Sequence, residues 1–329
     1  MIQTRGLTKD FELSKSQTVH AVRGIDLDVA PGELVAVLGP NGAGKTTTMR
    51  MLTTLVRPTS GTASVAGIDV LQDPAGVRRH IGYVGQGNGA GHTQRGVDEL
   101  YSQGLIYGLD RVSARRRAHE LVEALDLSAH ATRKVSELSG GQRRRLDVAL
   151  GLVHAPQLLF LDEPSTGLDP QNRANLWEHI LRLRAEHQMT IMLTTHYLDE
   201  ADTMAERVVV VDNGQVIADD TADGLKRTLA GDRVVLTTTG SAQVVAGLVA
   251  HVAGARDVSV HGSVVEARVA DAGTAVPELV IAASRAGAPL LEALAVRPTL
   301  DDVFLALTGR SLRDEGSPTS DDTEGQDAA

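Results

Sequence analysis

Residues 39–46 have the spacing of a phosphate-binding loop. They match the pattern G-x-x-x-x-G-K-[ST] at every fixed position, after an apolar run and before a helical pattern. Glycines in such a loop let backbone N–H groups surround phosphate oxygens, and the helix N-terminus adds partial positive charge. Lys45 would reach the outer phosphates, and the Thr46 hydroxyl would bind Mg²⁺. We therefore predict a nucleotide site rather than a turn without a ligand, formed by Gly39, Pro40, Asn41, Gly42, Ala43, Gly44, Lys45, Thr46 and the adjacent Thr47.

Two adjacent acids, Asp162 and Glu163, follow the apolar run 158–161. Neighbouring side chains of a strand point in different directions, so the two carboxylates can perform separate tasks. Asp162 can hold a metal ion through water, and Glu163 can take a proton from an attacking water. The alternative is a pair of acids that caps a strand, which the following residues 164–169, Pro-Ser-Thr-Gly-Leu-Asp, make weaker.

Ser139, Gly140 and Gly141, followed by Gln142, open a second helical pattern. A serine hydroxyl and glycine N–H groups at a helix N-terminus can form an anion site. The common alternative for Ser-Gly-Gly is an ordinary helix cap. One nucleotide does not need two such anion sites in one chain.

Gln86 and His196 each follow a strand pattern, where the ligand sites of open parallel sheets collect. A lone histidine at a strand end is usually structural, and only the whole set of motifs favours a role for His196. A phosphate loop by itself is compatible with kinases, GTPases, helicases and transport ATPases. The choice among these protein classes therefore depends on the whole set of motifs.

The elements that must position these residues alternate between strand and helix patterns. Apolar runs at 34–38, 158–161 and 190–195 predict buried strands, and a helical pattern at about 172–186 separates two of them. Short strand patterns precede the phosphate loop, and helical patterns occupy about 87–155. Asn213-Gly214 predicts a type I′ hairpin, after which the first domain ends near residue 230. The expected fold class is α/β, with a parallel sheet covered on both faces.

Composition limits the partners. The chain has 329 residues, no cysteine and a net charge of −10. The absence of cysteine excludes disulfides and cysteine metal sites, and the acidic balance argues against general nucleic-acid binding. No apolar run approaches the roughly 20 residues that span a bilayer, so we expect a soluble chain. The arginine clusters 115–117 and 143–145 are interpreted as solvated or interface-facing sides of helices.

Over about residues 1–230, these motifs in this order resemble the ATP-binding subunit of an ATP-binding cassette (ABC) transporter. The Walker A motif is residues 39–46, the signature LSGGQ is residues 138–142, Walker B ends at Asp162, and the D-loop is residues 165–169. The order of motifs excludes kinases and GTPases on family grounds. The resemblance implies a P-loop NTPase cassette with a parallel-sheet core, an antiparallel β subdomain and a helical insert at about 87–155.

The resemblance also implies the catalytic roles. Glu163 would be the catalytic base, His196 would contact the transferring phosphoryl group, and Lys45 would neutralise charge on the γ-phosphate. Mg²⁺ would be held by Thr46, Gln86 and, through water, Asp162.

In this family two copies close head to tail, and each ATP lies between the Walker motifs of one copy and the signature of the other. That arrangement accounts for the second anion site. Phe11 would take the place of the usual tyrosine that stacks on adenine. The ATP-binding residues that the resemblance adds to the phosphate loop are therefore Phe11, Gln86, Ser139, Gly140, Gly141, Gln142, Asp162 and Asp169.

The chain also resembles one branch of this family, the daunorubicin-resistance branch of bacterial drug exporters. Three segments carry this finer resemblance: residues 140–147, 194–202 and 299–309. This implies a homodimeric motor that hydrolyses ATP to export a hydrophobic drug through a separate transmembrane permease. It would lie on the cytoplasmic face of the cell membrane and would not bind nucleic acid. The alternatives are a lipid or polysaccharide exporter ATPase, or a soluble ABC ATPase, which usually has two cassettes or a long coiled coil.

Residues 231–310 contain short β-rich runs and helical patterns, which predict a small α+β accessory domain without a motif for chemistry. Leu300, Val303, Phe304 and Leu307 recur at helical spacing and predict one apolar face. That face would dock within the chain, on the twin subunit or on the membrane partner. Residues 314–329 contain acids but no base and no large apolar side chain, so a disordered tail is expected over 311–329.

Overall fold

The structure, a computed structural model, describes residues 1–14, 17–87, 89–91 and 93–309. The tail at 311–329, for which disorder is expected, lies outside the described residues. The chain forms two compact units, the first of residues Met1–Ala218 and the second beginning at Asp219. The domain boundary expected near residue 230 stays a prediction.

The first unit contains two sheets, seven α-helices and one 3-10 helix (Val135–Glu137) among its described residues. Its strands are β1 (Ile2–Ser14), β2 (Gln17–Val29), β3 (Leu34–Leu38), β4 (Ser60–Val65), β5 (Ile68–Asp69), β6 (Ile81–Val84), β7 (Leu158–Asp162), β8 (Thr190–Thr195), β9 (Arg207–Asp212) and β10 (Gln215–Asp220). Its helices are α1 (Lys45–Leu52), α2 (Pro74–His80), α3 (Gly96–Ile106), α4 (Arg111–Ala124), α5 (Gly140–Leu152), α6 (Pro170–His187) and α7 (Leu198–Met204).

The central sheet has six strands in the order β10-β9-β3-β8-β7-β6. Strands β9, β3, β8, β7 and β6 run parallel to one another. Every residue of β3, β7 and β8 is buried, because both faces of the central sheet are covered and each strand can be apolar throughout. The predicted parallel-sheet core is confirmed, and its parallel strands all end at the same edge.

A second sheet of the first unit is antiparallel, with strand order β2-β1-β4-β5. It shares a hydrophobic core with the central sheet, in which Ile25 and Val29 of β2 pack in one cluster with Val35 and Phe160. The hairpin between β9 and β10 has positive φ angles of 48° at Asn213 and 76° at Gly214, as a type I′ turn requires. The predicted antiparallel subdomain and hairpin are therefore present.

Helices α3, α4 and α5 form the predicted helical insert between β6 and β7. The interpretation of the second arginine cluster as a solvated side is wrong for Arg144 and Arg145, which are 8% and 7% exposed. Helix α5 contacts α3, α4, α6 and β6, so most of its circumference is covered. A guanidinium can be buried in such a helix when its N–H groups find acceptors, and four backbone carbonyls accept hydrogen bonds from Arg144. In the first cluster, Arg115 and Arg116 are exposed as expected.

The second unit is a small α+β structure, as predicted. Its elements are α8 (Ala222–Leu225), β11 (Asp232–Thr238), α9 (Ala242–Val249), β12 (Arg256–His261), β13 (Val264–Val269), α10 (Ala272–Arg285), β14 (Leu290–Val296) and α11 (Leu300–Thr308). The strands form an antiparallel sheet in the order β12-β13-β11-β14. Alternate side chains of β11, such as Val234 and Leu236, join α9 and α10 in a core that contains no residue of the first unit.

Helix α11 carries the apolar face that the sequence predicted. Leu300, Val303 and Phe304 are buried, and α11 contacts α8 within the same unit. The Thr299 hydroxyl accepts the Asp302 N–H, and the Asp302 carboxylate accepts the Thr299 N–H, which fixes the start of the helix. The sequence left open whether the apolar face of α11 docks within the chain, on the twin subunit or on the membrane partner. In the structure this face docks within the chain.

Among the helices described between residues 1 and 309, none combines the length and the apolar character that a crossing of the bilayer requires.

A chain that ends after Asp220 should still bind ATP with an affinity within about threefold of that of the full chain. The reason is that the two cores share no residue and every predicted site residue precedes residue 197. Fluorescence titration with a labelled ATP analogue measures the affinity, and circular dichroism checks folding. Loss of ATP binding in a truncated chain that unfolds cooperatively would contradict this prediction.

Candidate nucleotide site

Four predicted motifs meet where the parallel strands end. The phosphate loop follows β3, the acids 162–163 end and follow β7, His196 follows β8, and Gln86 lies two residues after β6. These strands are neighbours in the order β3-β8-β7-β6. The topology therefore collects motifs that are far apart in the sequence at one edge of the sheet, where open α/β sheets bind ligands.

The phosphate loop connects β3 to α1 and holds its own lysine. The Lys45 side chain is 5% exposed, and its ammonium donates to the carbonyls of Gly39 and Pro40 at 2.6 and 2.9 Å. Thr46 and Thr47 are half-buried at the first turn of α1, while Asn41 is exposed. The cationic group and the helix N-terminus thus lie together, as phosphate binding requires.

Two glycines of the loop have different surroundings. Gly44 has φ 98°, and a Cβ there would lie 2.4 Å from the carbonyl oxygen of Ala21 on β2. Gly42 has φ 78°, and a Cβ there would meet no heavy atom within 4 Å. Gly44 therefore lets the loop pack closely against the antiparallel sheet, whereas the backbone at Gly42 borders open space that a phosphate can occupy.

Asp162 is the most connected predicted site residue. Its carboxylate is completely buried, and Oδ1 accepts hydrogen bonds from the hydroxyls of Thr46 at 2.9 Å and Thr194 at 2.7 Å. Oδ2 accepts the Tyr83 hydroxyl at 3.3 Å. Burial and the Asp162 charge raise the pKa of Tyr83, which keeps its hydroxyl protonated as a donor. Asp162 thereby joins the phosphate-loop helix to β6 and β8.

Glu163 points away from Asp162 and toward His196. Its φ of 48° is left-handed, a conformation that costs a non-glycine residue about 1–3 kcal/mol. Its Oε2 lies 3.3 Å from His196 Nδ1 and accepts the Thr166 hydroxyl at 3.2 Å. The hydrogen bond from His196 and the charge of Lys45 hold the pKa of Glu163 below its usual value, despite partial burial. The carboxylate is therefore ionised at neutral pH and able to accept a proton.

Residues that the sequence analysis missed support this pair. Glu200 on α7 is 2% exposed, and it accepts the hydroxyls of Ser165 in the D-loop and of Thr195, which precedes His196. The Thr194 hydroxyl and carbonyl accept the backbone N–H of Glu163, each at 3.1 Å. The Thr-Thr pair before His196 was a signal in the sequence. Glu200 lies in a helix of its own, so sequence spacing could not connect it with Ser165.

The signature residues form the helix cap that was considered for them, and the anion site stays a prediction. Ser139 caps α5, and its hydroxyl accepts the Gln142 N–H at 3.3 Å while the Gln142 side chain accepts the Ser139 N–H at 3.0 Å. Ser139 and Gly140 are exposed, and Gly141 is buried. The cap uses the Ser139 oxygen as an acceptor, so its O–H remains able to donate to an anion.

The remaining predicted residues occupy less constrained positions. Asp169 caps α6 and accepts the backbone N–H of Asn172 at 2.9 Å. Gln86 is an exposed loop residue. Phe11 is 37% exposed on β1 opposite Val19, with the Lys9 ammonium 4.9 Å from its ring centroid. Stacking of Phe11 on adenine and the contacts of Gln86 and Asp169 with nucleotide stay predictions.

The oxygen ligands near the phosphate loop fit the predicted magnesium ion. Thr46 and Asp162 offer a hydroxyl and a carboxylate whose oxygens are 2.9 Å apart. Hard oxygen ligands, few from the protein and the rest from water and phosphate, are what Mg²⁺ prefers. Gln86 would add an amide oxygen.

Comparisons with known proteins agree with this geometry. A family model described as ABC transporter matches residues 22–166. The daunorubicin resistance ATP-binding protein DrrA2 of Streptomyces coeruleorubidus is 43% identical over 313 residues, which cover 94% of each chain. The daunorubicin/doxorubicin resistance ATP-binding protein DrrA of Streptomyces peucetius is 39% identical over 98% of this chain and 97% of the relative.

Solved structures give the same fold. A dimeric ATP-binding cassette, bound to ADP and phosphate in a post-hydrolysis state, superimposes with a TM-score of 0.62 at 24% identity. The match covers 67% of this chain and 98% of that cassette. At this identity the likeness establishes the fold, and the two relatives above carry the information on family.

Proposed function

This chain belongs to the ABC transporter family of ATP-binding proteins, and we propose that it powers export of a drug or antibiotic through a separate membrane protein. It binds and hydrolyses ATP, as ABC cassettes do. The names of its relatives, which describe resistance to daunorubicin and doxorubicin, support a drug as the cargo. Two alternatives are export of a lipid or polysaccharide and the function of a soluble ABC ATPase without transport. The export assay distinguishes them from drug export.

One observation supports hydrolysis most directly. Two adjacent carboxylates of β7 and its following turn face different partners, Asp162 toward Thr46 and Glu163 toward His196. A carboxylate beside the phosphate-loop threonine can organise the metal side of a nucleotide. An ionised carboxylate beside a histidine can act on water. The left-handed φ of Glu163 turns its carboxylate away from that of Asp162.

The chain's own groups account for the binding of the phosphates. The backbone N–H groups of residues 42–46 and the Lys45 ammonium would hold the β- and γ-phosphates, and Thr46, Gln86 and Asp162 would hold Mg²⁺. When bound, Mg²⁺ neutralises charge on the phosphate oxygens. Phe11 would stack on the adenine ring.

Glu163 and His196 would carry out the chemical step. The Glu163 carboxylate accepts a proton from a water whose oxygen bonds to the γ-phosphorus, while the bond from phosphorus to the β-γ bridging oxygen breaks. His196 would hold the transferring phosphoryl group through its ring N–H. ADP and inorganic phosphate are the products, and Lys45 stabilises the charge that develops between them.

A second copy of the chain would complete each site. Ser139 and Gly140 are exposed at the N-terminus of α5, where a hydroxyl and backbone N–H groups can bind an anion. Together with Gly141, Gln142 and Asp169 they would contact the ATP held by the Walker motifs of the other copy. The homodimer would work at the cytoplasmic face of the membrane, against its permease.

Replacing Glu163 by glutamine should leave ATP binding intact and lower hydrolysis by about 100-fold or more, because an amide cannot accept the proton from water. The variant should accumulate as an ATP-bound dimer, since Lys45 and Ser139 are unchanged. Phosphate release and gel filtration with ATP and Mg²⁺ measure both effects. The control is Glu123→Gln, on the exposed side of α4, which should match the unmodified chain. A monomeric Glu163→Gln chain with the unmodified rate would show that Glu163 is not the base.

The same variant tests export. The tagged chain is purified from membranes with any associated membrane protein, and ATP-driven uptake of daunorubicin is measured in inside-out vesicles that contain both. Uptake with the unmodified chain and none with Glu163→Gln is expected. Lipid or polysaccharide transport without daunorubicin uptake, or co-purification with ribosomes instead of a membrane protein, would overturn drug export.

Ser139→Arg should abolish hydrolysis while ATP still binds the monomer, because the arginine blocks the face that meets the other copy's ATP. Lys45→Ala should also be inactive, through its own phosphate loop. A mixture of the two variants should recover up to about a quarter of the unmodified activity, since half of the dimers are mixed and each has one intact composite site. No recovery at any mixing ratio would contradict the head-to-tail dimer.

A further inference from the structure

Three charged side chains of α5, Arg144, Arg145 and Asp147, are buried outside the site described above. Arg144 and Asp147 form hydrogen bonds to neighbouring segments. Arg144 is 8% exposed and Asp147 is 5% exposed. They are three residues apart, so they lie on the same side of the helix. A buried charge is tolerated only where hydrogen bonds compensate for lost water, and the partners of these two therefore indicate why the charges are there.

Among the described residues, the hydrogen-bond partners of Arg144 are backbone carbonyls of two separate segments. Its Nη1 donates to Gly85, directly before Gln86, at 2.7 Å. Its Nε donates to the Pro164 carbonyl at 2.5 Å, and its Nη2 to the Asp162 and Glu163 carbonyls at 3.4 and 3.3 Å. One guanidinium thus ties the residue before Gln86 to the turn that carries Glu163.

Asp147 holds the other side of the Gln86 loop, which we define as residues 85–87 and 89–90. Its Oδ1 accepts the backbone N–H groups of Gly89 at 2.9 Å and Ala90 at 3.1 Å. The loop is rich in glycine and has few side chains of its own that could fix it. Arg144 and Asp147 therefore anchor it before and after Gln86.

The helix that carries both anchors begins at the signature. Ser139 caps α5, and Arg144 lies little more than one turn further along. A hydrogen-bonded helix transmits displacement of its first turn to the next with little loss. Any movement of the signature end would therefore move the two anchors, and with them the Gln86 loop and the Glu163 turn.

We propose that Arg144 and Asp147 are positioning residues that fasten the signature helix to the Gln86 loop and to the Glu163 turn of the same chain. This inference rests on the proposed ATP hydrolysis. Arg144 stabilises the left-handed conformation of Glu163 by bonding the carbonyls on both sides of the turn, and Asp147 keeps Gln86 at the metal side. Closure on a second copy, which presses on Ser139, is thereby coupled to the alignment of Gln86 and Glu163.

Arginine is required because of its geometry as well as its charge. Its planar guanidinium carries five donors in a fixed fork, whereas the lysine ammonium is a compact charge with three. Arg144→Lys keeps the charge but cannot span Gly85 and Pro164 together. We expect kcat for ATP hydrolysis to fall by about tenfold or more, and the ATP Kd of the monomer to change less than about threefold, because the phosphate loop is untouched.

The matched control is Arg145→Lys, the same substitution at the next residue of the helix. Arg145 is equally buried, and within the described residues it makes no hydrogen bond to either segment. Its variant should hydrolyse ATP at close to the unmodified rate. Equal kcat values for the two lysine variants would overturn the inference, as would parallel loss of hydrolysis and ATP binding in Arg144→Lys.

Asp147 provides a second series that does not depend on the folding of the Arg144 variant. Asp147→Asn keeps an oxygen that can accept both N–H groups, so kcat should stay within about twofold of the unmodified value. Asp147→Ala removes the acceptor, so kcat should fall while ATP still binds. Unmodified kcat in the alanine variant, or equal loss in both variants, would contradict the role of Asp147.

Hydrogen exchange separates this inference from the proposed function. The amides of Gly89 and Ala90 should be protected in the unmodified chain and exchange at least about tenfold faster in Asp147→Ala, whether or not the chain hydrolyses ATP. Unchanged exchange would overturn the anchoring. Normal anchoring in a chain that does not hydrolyse ATP would instead contradict the proposed function.

Discussion

The structure depends on one buried carboxylate. Asp162 is buried, and its carboxylate accepts hydrogen bonds from the hydroxyl groups of Thr46, Thr194 and Tyr83. Burying a carboxylate is unfavourable unless its oxygens are hydrogen-bonded. The phosphate-loop helix, β8 and β6 must therefore be in register with β7 before this position is stable, so the same contacts that satisfy the charge also assemble the nucleotide site.

The motifs with short-range signals could be predicted from the sequence. The phosphate loop, the buried strands that end in Asp162 and Thr195, and the Asn213-Gly214 hairpin all follow from spacing and from the period of apolar residues. Parallel strands then bring their ends to one edge without any knowledge of side-chain contacts. For this reason the parallel-sheet core and the location of the candidate site could be predicted from local patterns, whereas the cassette was implied by the family resemblance.

Other features depend on contacts between distant residues, which no local pattern contains. Three consecutive arginines predict a solvated face, yet Arg144 is buried because four carbonyls from β6 and β7 turns converge on it. Glu200 likewise gains its role only when α7 brings it to Ser165 and Thr195. The left-handed conformation of Glu163 is invisible in the sequence, since glutamate rarely adopts it and the surrounding bonds impose it.

We propose that Asp162 organises a metal-dependent ATPase site, and the variant Asp162→Asn tests this role. Asparagine keeps the shape of the side chain and can still bond the hydroxyls of Thr46 and Thr194, but it lacks the charge that would hold Mg²⁺ through water. ATP hydrolysis should be measured against Mg²⁺ concentration in both chains. The maximal rate of ATP hydrolysis should be at least about 100-fold lower in Asp162→Asn than in the unmodified chain. ATP binding in the presence of a chelator should be unchanged. Hydrolysis at the unmodified rate, with the same dependence on Mg²⁺, would contradict this role.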